Sequence, residues 1–434
     1  MISVASRIYR EVSDPEARTI RRLFWCAFAV RALAGLVAYV LTQYADVPLF
    51  EDALYYEEMG YSVASEWLSG RSVDFSTLSR GAQTGSLMVT VVAVFYYLTQ
   101  GVRALPILLL LYSAVTAWVP VYIYWIAREL GMPDGAARRA GWLVAVSPAF
   151  VFWSGSLYKE GLVMLALSMG LYHALRLQSR WRGWSLAVLA VSLFTLLALR
   201  FYLAIMMSLV VAFGLVWGRK DPKSHTQRHG LVPPLIRQGF IAVVFVGLMI
   251  TLGFGESAER RLAETPEGTV VDLDLTRLNV DRQWSATSAY SGYLTEADVS
   301  TPAGALEYFP VGLAYFLAVP FPWQFGSFRQ NLVIPETAFW VLLYPLIGLG
   351  VIRGLRVNRP GTVVLLAATV GMCVIYTLVS GNVGIAYRMR SQVWLLWAPF
   401  AAWGWEALRE RLRARAGGGM TFRRRPLSRR AVGR

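Results

Sequence analysis

Twelve apolar stretches recur along this chain: residues 23–44, 84–100, 104–127, 139–155, 158–176, 184–199, 202–218, 236–254, 307–326, 335–352, 361–380 and 391–408. A helix needs about 20 apolar residues to cross the hydrocarbon core of a bilayer, and helices or closed barrels alone satisfy their backbone groups there. The pattern predicts an all-α, polytopic membrane protein with about 10–12 transmembrane helices. Several short stretches sit in tight pairs, as expected of helical hairpins turning at one surface. Composition agrees: of 434 residues 56% are hydrophobic and 16% charged, against about 25% charged in an ordinary globular domain.

The charge is sorted by loop. Arg18, Arg21 and Arg22 precede the first stretch, and residues 219–237, 353–359 and 409–434 are basic, whereas loops 45–83 and 255–307 are acidic. Basic loops stay on the cytoplasmic side. This predicts cytoplasmic tails at 1–22 and 409–434, a membrane domain over 23–408, and external loops at 45–83 and 255–307, in a bacterial-type plasma membrane. The net charge of +15 is thus explained by topology, with no nucleic acid as partner. Placing Arg128, Arg138 and Arg139 inside requires an odd number of crossings between residues 84 and 127. Residues 307–326, with Pro310, Pro320 and Pro322, are expected to be re-entrant or incomplete. The first stretch exceeds the h-region of a signal peptide, about 7–15 residues, and no small-x-small site follows Tyr44, so it is expected to remain as an anchor. Cys26 and Cys373 lie in separate apolar stretches, which suits buried thiols better than a disulfide or zinc site. No repeat of about 20–50 residues is visible, so a solenoid is not indicated.

Directly after the first stretch comes an acidic, aromatic segment, Phe50-Glu51-Asp52-Ala53-Leu54-Tyr55-Tyr56-Glu57-Glu58. Tyr56, Met59, Val63 and Trp67 recur at helical spacing with Gly60 on the same face. That predicts an amphipathic helix over Asp52 to Trp67 in the membrane interface, with Trp67 as anchor. Asp52 at its N-terminus reads equally as a helix cap or as a fixed reactive carboxylate. Charges inside apolar stretches are expensive, at least about 2.5–3.5 kcal/mol each. They occur at Arg31, at Lys159 and Glu160, at Arg200 beside Tyr202, and at Arg388 and Arg390. Singly each fits snorkelling or a salt bridge; as a set near one surface they suit a phosphate or pyrophosphate. Ser156-Leu157-Tyr158-Lys159 fits Ser-x-x-Lys, but the partner elements of penicillin-binding enzymes are absent. His225 and His229 have metal-ligand spacing in a basic loop with no third ligand, and read as surface.

In order along the chain these motifs resemble the polytopic GT-C glycosyltransferases, which include protein O-mannosyltransferases and the aminoarabinose transferases that modify lipid A. Glu51-Asp52 with Tyr55 matches the acidic pair of the family's first external loop, whose Asp is catalytic. Ser147-Pro148 through Phe152-Trp153-Ser154-Gly155 and Lys159-Glu160 resembles the stretch between the family's fourth and fifth helices. Pro320-Phe321-Pro322-Trp323 and Gly381-Asn382-Val383-Gly384 through Arg388-Met389-Arg390 look like bacterial members associated with surface polysaccharides. The similarity covers residues 23 to about 405 in short motifs. The chain departs from the family in having no large soluble C-terminal domain, which argues against oligosaccharyltransferase-type peptide glycosylation.

The resemblance implies an enzyme of cell-envelope polysaccharide biosynthesis moving a sugar from a polyprenyl-phosphate donor to a glycan, lipid or protein acceptor at the outer face, with inversion. Asp52 would be the general base, a role worth roughly 10²–10⁴-fold. Glu51 would orient it, raise its pKa by like-charge repulsion, or help hold a divalent cation. Tyr55, Lys159, Glu160, Arg200, Tyr202, Arg388 and Arg390 would form the substrate site, the cations among them holding the departing phosphate. Loop 255–307, with Trp284, Tyr290 and Tyr293, would cap the site. Two rival classes are a flippase or transporter of lipid-linked saccharide, which often shows internal repeats, and a polysaccharide polymerase or ligase.

Overall fold

The computed structural model describes residues 14–45, 51–73, 85–179, 182–217, 275–324, 326 and 328–418. Apolar stretch 236–254, residues 255–274 of the acidic loop, His225, His229 and the tail beyond 418 lie outside the described residues. All the regular secondary structure described is helical. The first half comprises α1 (Asp14–Tyr44), α2 (Glu51–Leu68), α3 (Ser86–Leu98), α4 (Leu105–Thr116), α5 (Val119–Glu129), α6 (Asp134–Val146), α7 (Pro148–Gly155) and α8 (Lys159–Ser179). Then follow α9 (Gly183–Leu199), α10 (Phe201–Trp217), α11 (Leu275–Thr287), α12 (Pro302–Ala318), α13 (Phe328–Val357), α14 (Arg359–Val379) and α15 (Val383–Gly418).

Among these, Pro15–Tyr44, Leu105–Glu129, Gln330–Val357 and Arg359–Val379 are long and apolar enough to cross a membrane, and Ser86–Leu98, Gly183–Leu199 and Phe201–Leu215 are shorter apolar helices. Leu33, Val37 and Val40 on α1, Leu209 on α10 and Leu342 on α13 are exposed. Apolar surface on this scale suits lipid rather than water.

Two expected single stretches are divided. Residues 104–127 form α4 and α5, and residues 139–155 form α6 and α7, which meets α6 at Ser147. Pro120 and Pro148 stand at the starts of α5 and α7, where a missing N–H costs nothing. Residues 307–326 are helical only as far as Ala318, ahead of Pro320 and Pro322.

Close helix crossings occur where glycine removes the side chain. A Cβ on Gly350 would lie 1.9 Å from the Phe400 carbonyl oxygen, and one on Gly404 would lie 1.8 Å from that of Leu346. The backbones of α13 and α15 therefore touch, and further along the same seam Trp340 stacks on Trp394 with ring centroids 5.1 Å apart. At the crossing of α1 and α7, a Cβ on Gly35 would meet the Gly155 oxygen at 2.2 Å, and one on Gly155 would meet the Arg31 oxygen at 2.4 Å. Small residues at such contacts are a common means of packing membrane helices.

The helix after α1 is observed, and its apolar stripe packs on α3. Tyr56 and Val63 are buried, and Gly60 sits against Val92 and Ala93 of α3. Trp67 meets Tyr97 edge-on at 6.2 Å. Buried Glu57 accepts a 2.8 Å hydrogen bond from Tyr96 and faces Arg103 at 3.8 Å. The apolar stripe is thus the seam of an α2–α3 pair; its period reveals a buried face without naming what buries it.

Candidate functional site

Three helix N-termini, those of α2, α8 and α15, meet the turn between α9 and α10 at one end of the bundle. Each contributes a charge. The helix begins at Glu51, so Asp52 stands in the first turn of α2 rather than capping it from outside. Glu160 is in the first turn of α8, Arg200 lies between α9 and α10, and Arg388 is in the second turn of α15. Both carboxylates take the stabilising position near a helix N-terminus.

These groups form one chain of ion pairs. Asp52 Oδ2 is 2.9 Å from Arg388 Nη1, and the same nitrogen is 3.9 Å from Glu160 Oε1. Arg200 Nη2 donates to that Glu160 oxygen at 2.6 Å, and Arg200 Nη1 donates to the Tyr202 hydroxyl. Exposure is 37% at Asp52 and 26% at Arg388 but 0% at Glu160 and 8% at Arg200, the inner pair. Asp52 is therefore at the mouth and Glu160 at the floor. Lys159, half-buried, is within electrostatic range of all four charges.

Local sequence explains how the floor is held. Leu157, in the turn between α7 and α8, has φ +54°, a left-handed conformation unfavourable for a large side chain. The turn is fixed from α4: Thr116 Oγ1 donates to the Ser154 carbonyl at 2.7 Å, and the Tyr112 hydroxyl donates to the Tyr158 carbonyl. That places the rings of Trp153 and Tyr158 against the Arg388 guanidinium, 5.0 and 5.2 Å from its carbon. Cation–π contact and two carboxylates thus hold Arg388. Tyr56 lies near the same charges. Burial, then the carboxylates Glu160 and Asp52, push its phenol above the ordinary value, so it stays protonated at neutral pH.

The start of α15 is tied to the last turns of α11 and to the segment after it. Asn382 Nδ2 donates to the Ser285 carbonyl at 2.9 Å, its Oδ1 accepts from the Ile385 N–H at 2.9 Å, and Tyr293 N–H donates to the Gly381 carbonyl at 2.9 Å. Gly381 is required here: a Cβ would lie 2.3 Å from the Arg282 oxygen. Of the aromatics expected to cap the site, Trp284 and Tyr290 are exposed. Tyr293 is buried against Tyr315, with ring centroids 5.2 Å apart, so it serves packing instead.

Asp52, Lys159, Glu160, Arg200, Tyr202 and Arg388 are thus brought together, and half-buried Tyr55 meets Tyr56 edge-on at 6.1 Å. Glu51 lies in α2, but its side chain is outside what is described. Arg390 is not in the group. Fully buried, it donates to the Phe316 carbonyl at 3.1 Å and to Thr337 Oγ1 at 3.0 Å, and lies over Trp394. Arg31 is also separate: it donates to the carbonyls of Ala145 at 3.2 Å and Val144 at 3.4 Å, the C-terminal end of α6, where a cation is favourable. Cys26 and Cys373 are free thiols; Cys373 is buried, whereas Cys26, expected to be buried too, is only partly so. Among the described residues no three His, Cys, Asp or Glu side chains gather into a metal-binding group.

Sequence reasoning missed Glu336, a buried carboxyl in α13. The criterion that drew attention to Arg31, a charge inside an apolar stretch, applied to it equally. Compared with protein-family models the chain matches none, and a comparison with curated proteins finds no match either.

Proposed function

We propose that the protein is a membrane glycosyltransferase that moves a sugar from a polyprenyl-phosphate donor to an acceptor hydroxyl at the outer face, with Asp52 as general base. One observation carries this reading: among the described groups of the site, three cations (Lys159, Arg200, Arg388) stand against two carboxylates (Asp52, Glu160). Three cationic groups converging on one point suit the phosphate of a phosphodiester. Forked guanidinium donors suit its oxygens. The apolar surface of the surrounding helices suits its lipid tail.

In the proposed reaction the acceptor oxygen forms a bond to the anomeric carbon while the bond from that carbon to the phosphate oxygen breaks. Asp52 takes the acceptor proton, and the electron pair leaves on polyprenyl phosphate, whose charge Arg388 and Arg200 stabilise. Without donor, Arg388 pairs with Asp52 at 2.9 Å. A donor phosphate competing for Arg388 would release the carboxylate at the moment it is needed. Attack opposite the leaving group inverts the anomeric configuration. The relation to GT-C enzymes rests on the order of the short motifs and on the contact of Asp52, Trp153, Glu160 and Arg388, which come from three of them.

The test is Asp52→Asn in the membrane fraction, assayed for sugar transfer from a polyprenyl-phosphate sugar. A fall in rate of roughly 10²-fold or more, with the folded protein retained, is expected. Unchanged transfer would remove Asp52 from the reaction and leave it as a helix-end charge.

A further inference from the structure

Glu336 accepts three hydrogen bonds, and all three lead toward Arg388. Ser147 Oγ donates to its Oε1, while Ala149 N–H, at 2.8 Å, and the Tyr387 hydroxyl donate to its Oε2. Ser147 and Ala149 form the N-terminus of α7, whose other end carries Trp153. Tyr387 immediately precedes Arg388 and packs on Trp153 with ring centroids 6.2 Å apart. One buried carboxyl of α13 therefore holds both the helix that supplies the aromatic bed for Arg388 and the residue next to Arg388 itself.

Its neighbour Thr337 accepts from Arg390 at 3.0 Å. Tyr387 and Arg390 are three apart and lie on one face of α15, against α13; Arg388 lies about 100° round the helix from Tyr387. Clamping the face that carries 387 and 390 fixes the rotation of α15 about its axis. That rotation decides where the Arg388 guanidinium points. A carboxylate is acceptor-only and can take all three donors at once. Its place at the N-terminus of α7 suits the helix dipole.

We propose that Glu336 is a positioning residue that aims Arg388 at the donor phosphate, by fixing α7 and the first turns of α15 together. The inference rests on the phosphate-binding reading of Arg388 given above. It assigns Glu336 no contact with substrate.

The experiment is a double-mutant cycle on the purified full chain, with binding of a polyprenyl monophosphate measured in detergent for wild type, Glu336→Gln, Arg388→Ala and the double variant. Glu336→Gln is expected to weaken binding roughly tenfold and Arg388→Ala more strongly, with the double variant no weaker than Arg388→Ala alone. General loosening of the fold would weaken binding whatever stands at 388. Additive effects, or wild-type binding by Glu336→Gln, would therefore overturn the proposal. Should Glu336→Gln lose its thermal unfolding transition, Tyr387→Phe takes its place in the cycle. It removes one of the three hydrogen bonds and keeps the ring, and the same dependence on Arg388 is expected of it. If Arg388→Ala itself binds like wild type, the phosphate reading fails, and the aiming of Arg388 at a phosphate fails with it. That outcome is distinct from a normal Arg388 effect accompanied by additive or absent Glu336 effects.

Discussion

Glu160 stands between two guanidinium groups with no exposure to solvent, 2.6 Å from Arg200 and 3.9 Å from Arg388. Removing its charge leaves two cations facing each other in a buried site, and breaking such a pair costs about 3–5 kcal/mol. Glu160→Ala should therefore show a clearly lowered thermal midpoint in detergent; an unchanged midpoint would show that the arginines find other partners. Arg31 has a different task. Arg31→Met strands the carbonyls of Val144 and Ala145, at about 1–3 kcal/mol for a buried unsatisfied group. It should lower the midpoint while leaving sugar transfer per folded molecule near wild type. Both residues were legible in the sequence as charges in apolar context, and so were Arg200 and Arg388, while Asp52 stood out as an acidic-loop carboxylate at a helix start. The contacts of each were not legible. Arg388 and Arg390 carry the same signal but point about 200° apart on a helix. One reaches Asp52 and the other locks α12 to α13. Sequence shows that a charge is buried before it shows what it faces.

The helices were the most legible level, because runs of about 20 apolar residues leave the chain few alternatives. Boundaries moved where proline stood: Pro120 and Pro148 divide two expected stretches, and Pro320 follows the end of α12. The partner of α2 was illegible, since a hydrophobic stripe fits a bilayer interface and a neighbouring helix alike. What settled it was Gly60 lying against Val92. The glycines at crossings carry a prediction. Gly155→Val would drive a branched side chain into the Arg31 backbone and push α7 off α1, and overpacking of this kind costs about 1–3 kcal/mol or more. Because α7 also bears Trp153, loss of thermal stability and loss of transfer should appear together. Gly183→Val, where nothing lies near the missing Cβ, serves as the control expected to leave transfer near wild type.

At the scale of the molecule, the two ends of the bundle differ in charge chemistry. One gathers Asp52, Lys159, Glu160, Arg200 and Arg388. The other carries surface pairs such as Arg353 with Glu410 at 2.7 Å and Arg139 with Glu406. If the first end faces outward, as we propose from the sorting of basic loops, opposite ends should label from opposite sides. With Cys26 and Cys373 replaced by Ser, Ser69→Cys should react with a membrane-impermeant maleimide in intact cells, and Arg359→Cys only after permeabilisation. The reverse pattern would invert the topology. The central claim is transfer rather than transport, and sealed vesicles containing the purified protein distinguish the two. Given a sugar-labelled polyprenyl-phosphate donor and a hydroxyl acceptor, they should yield a new glycosidic bond and one polyprenyl phosphate per sugar moved, both abolished by Asp52→Asn. Movement of intact lipid-linked sugar between leaflets, with no new glycosidic bond, would contradict the account.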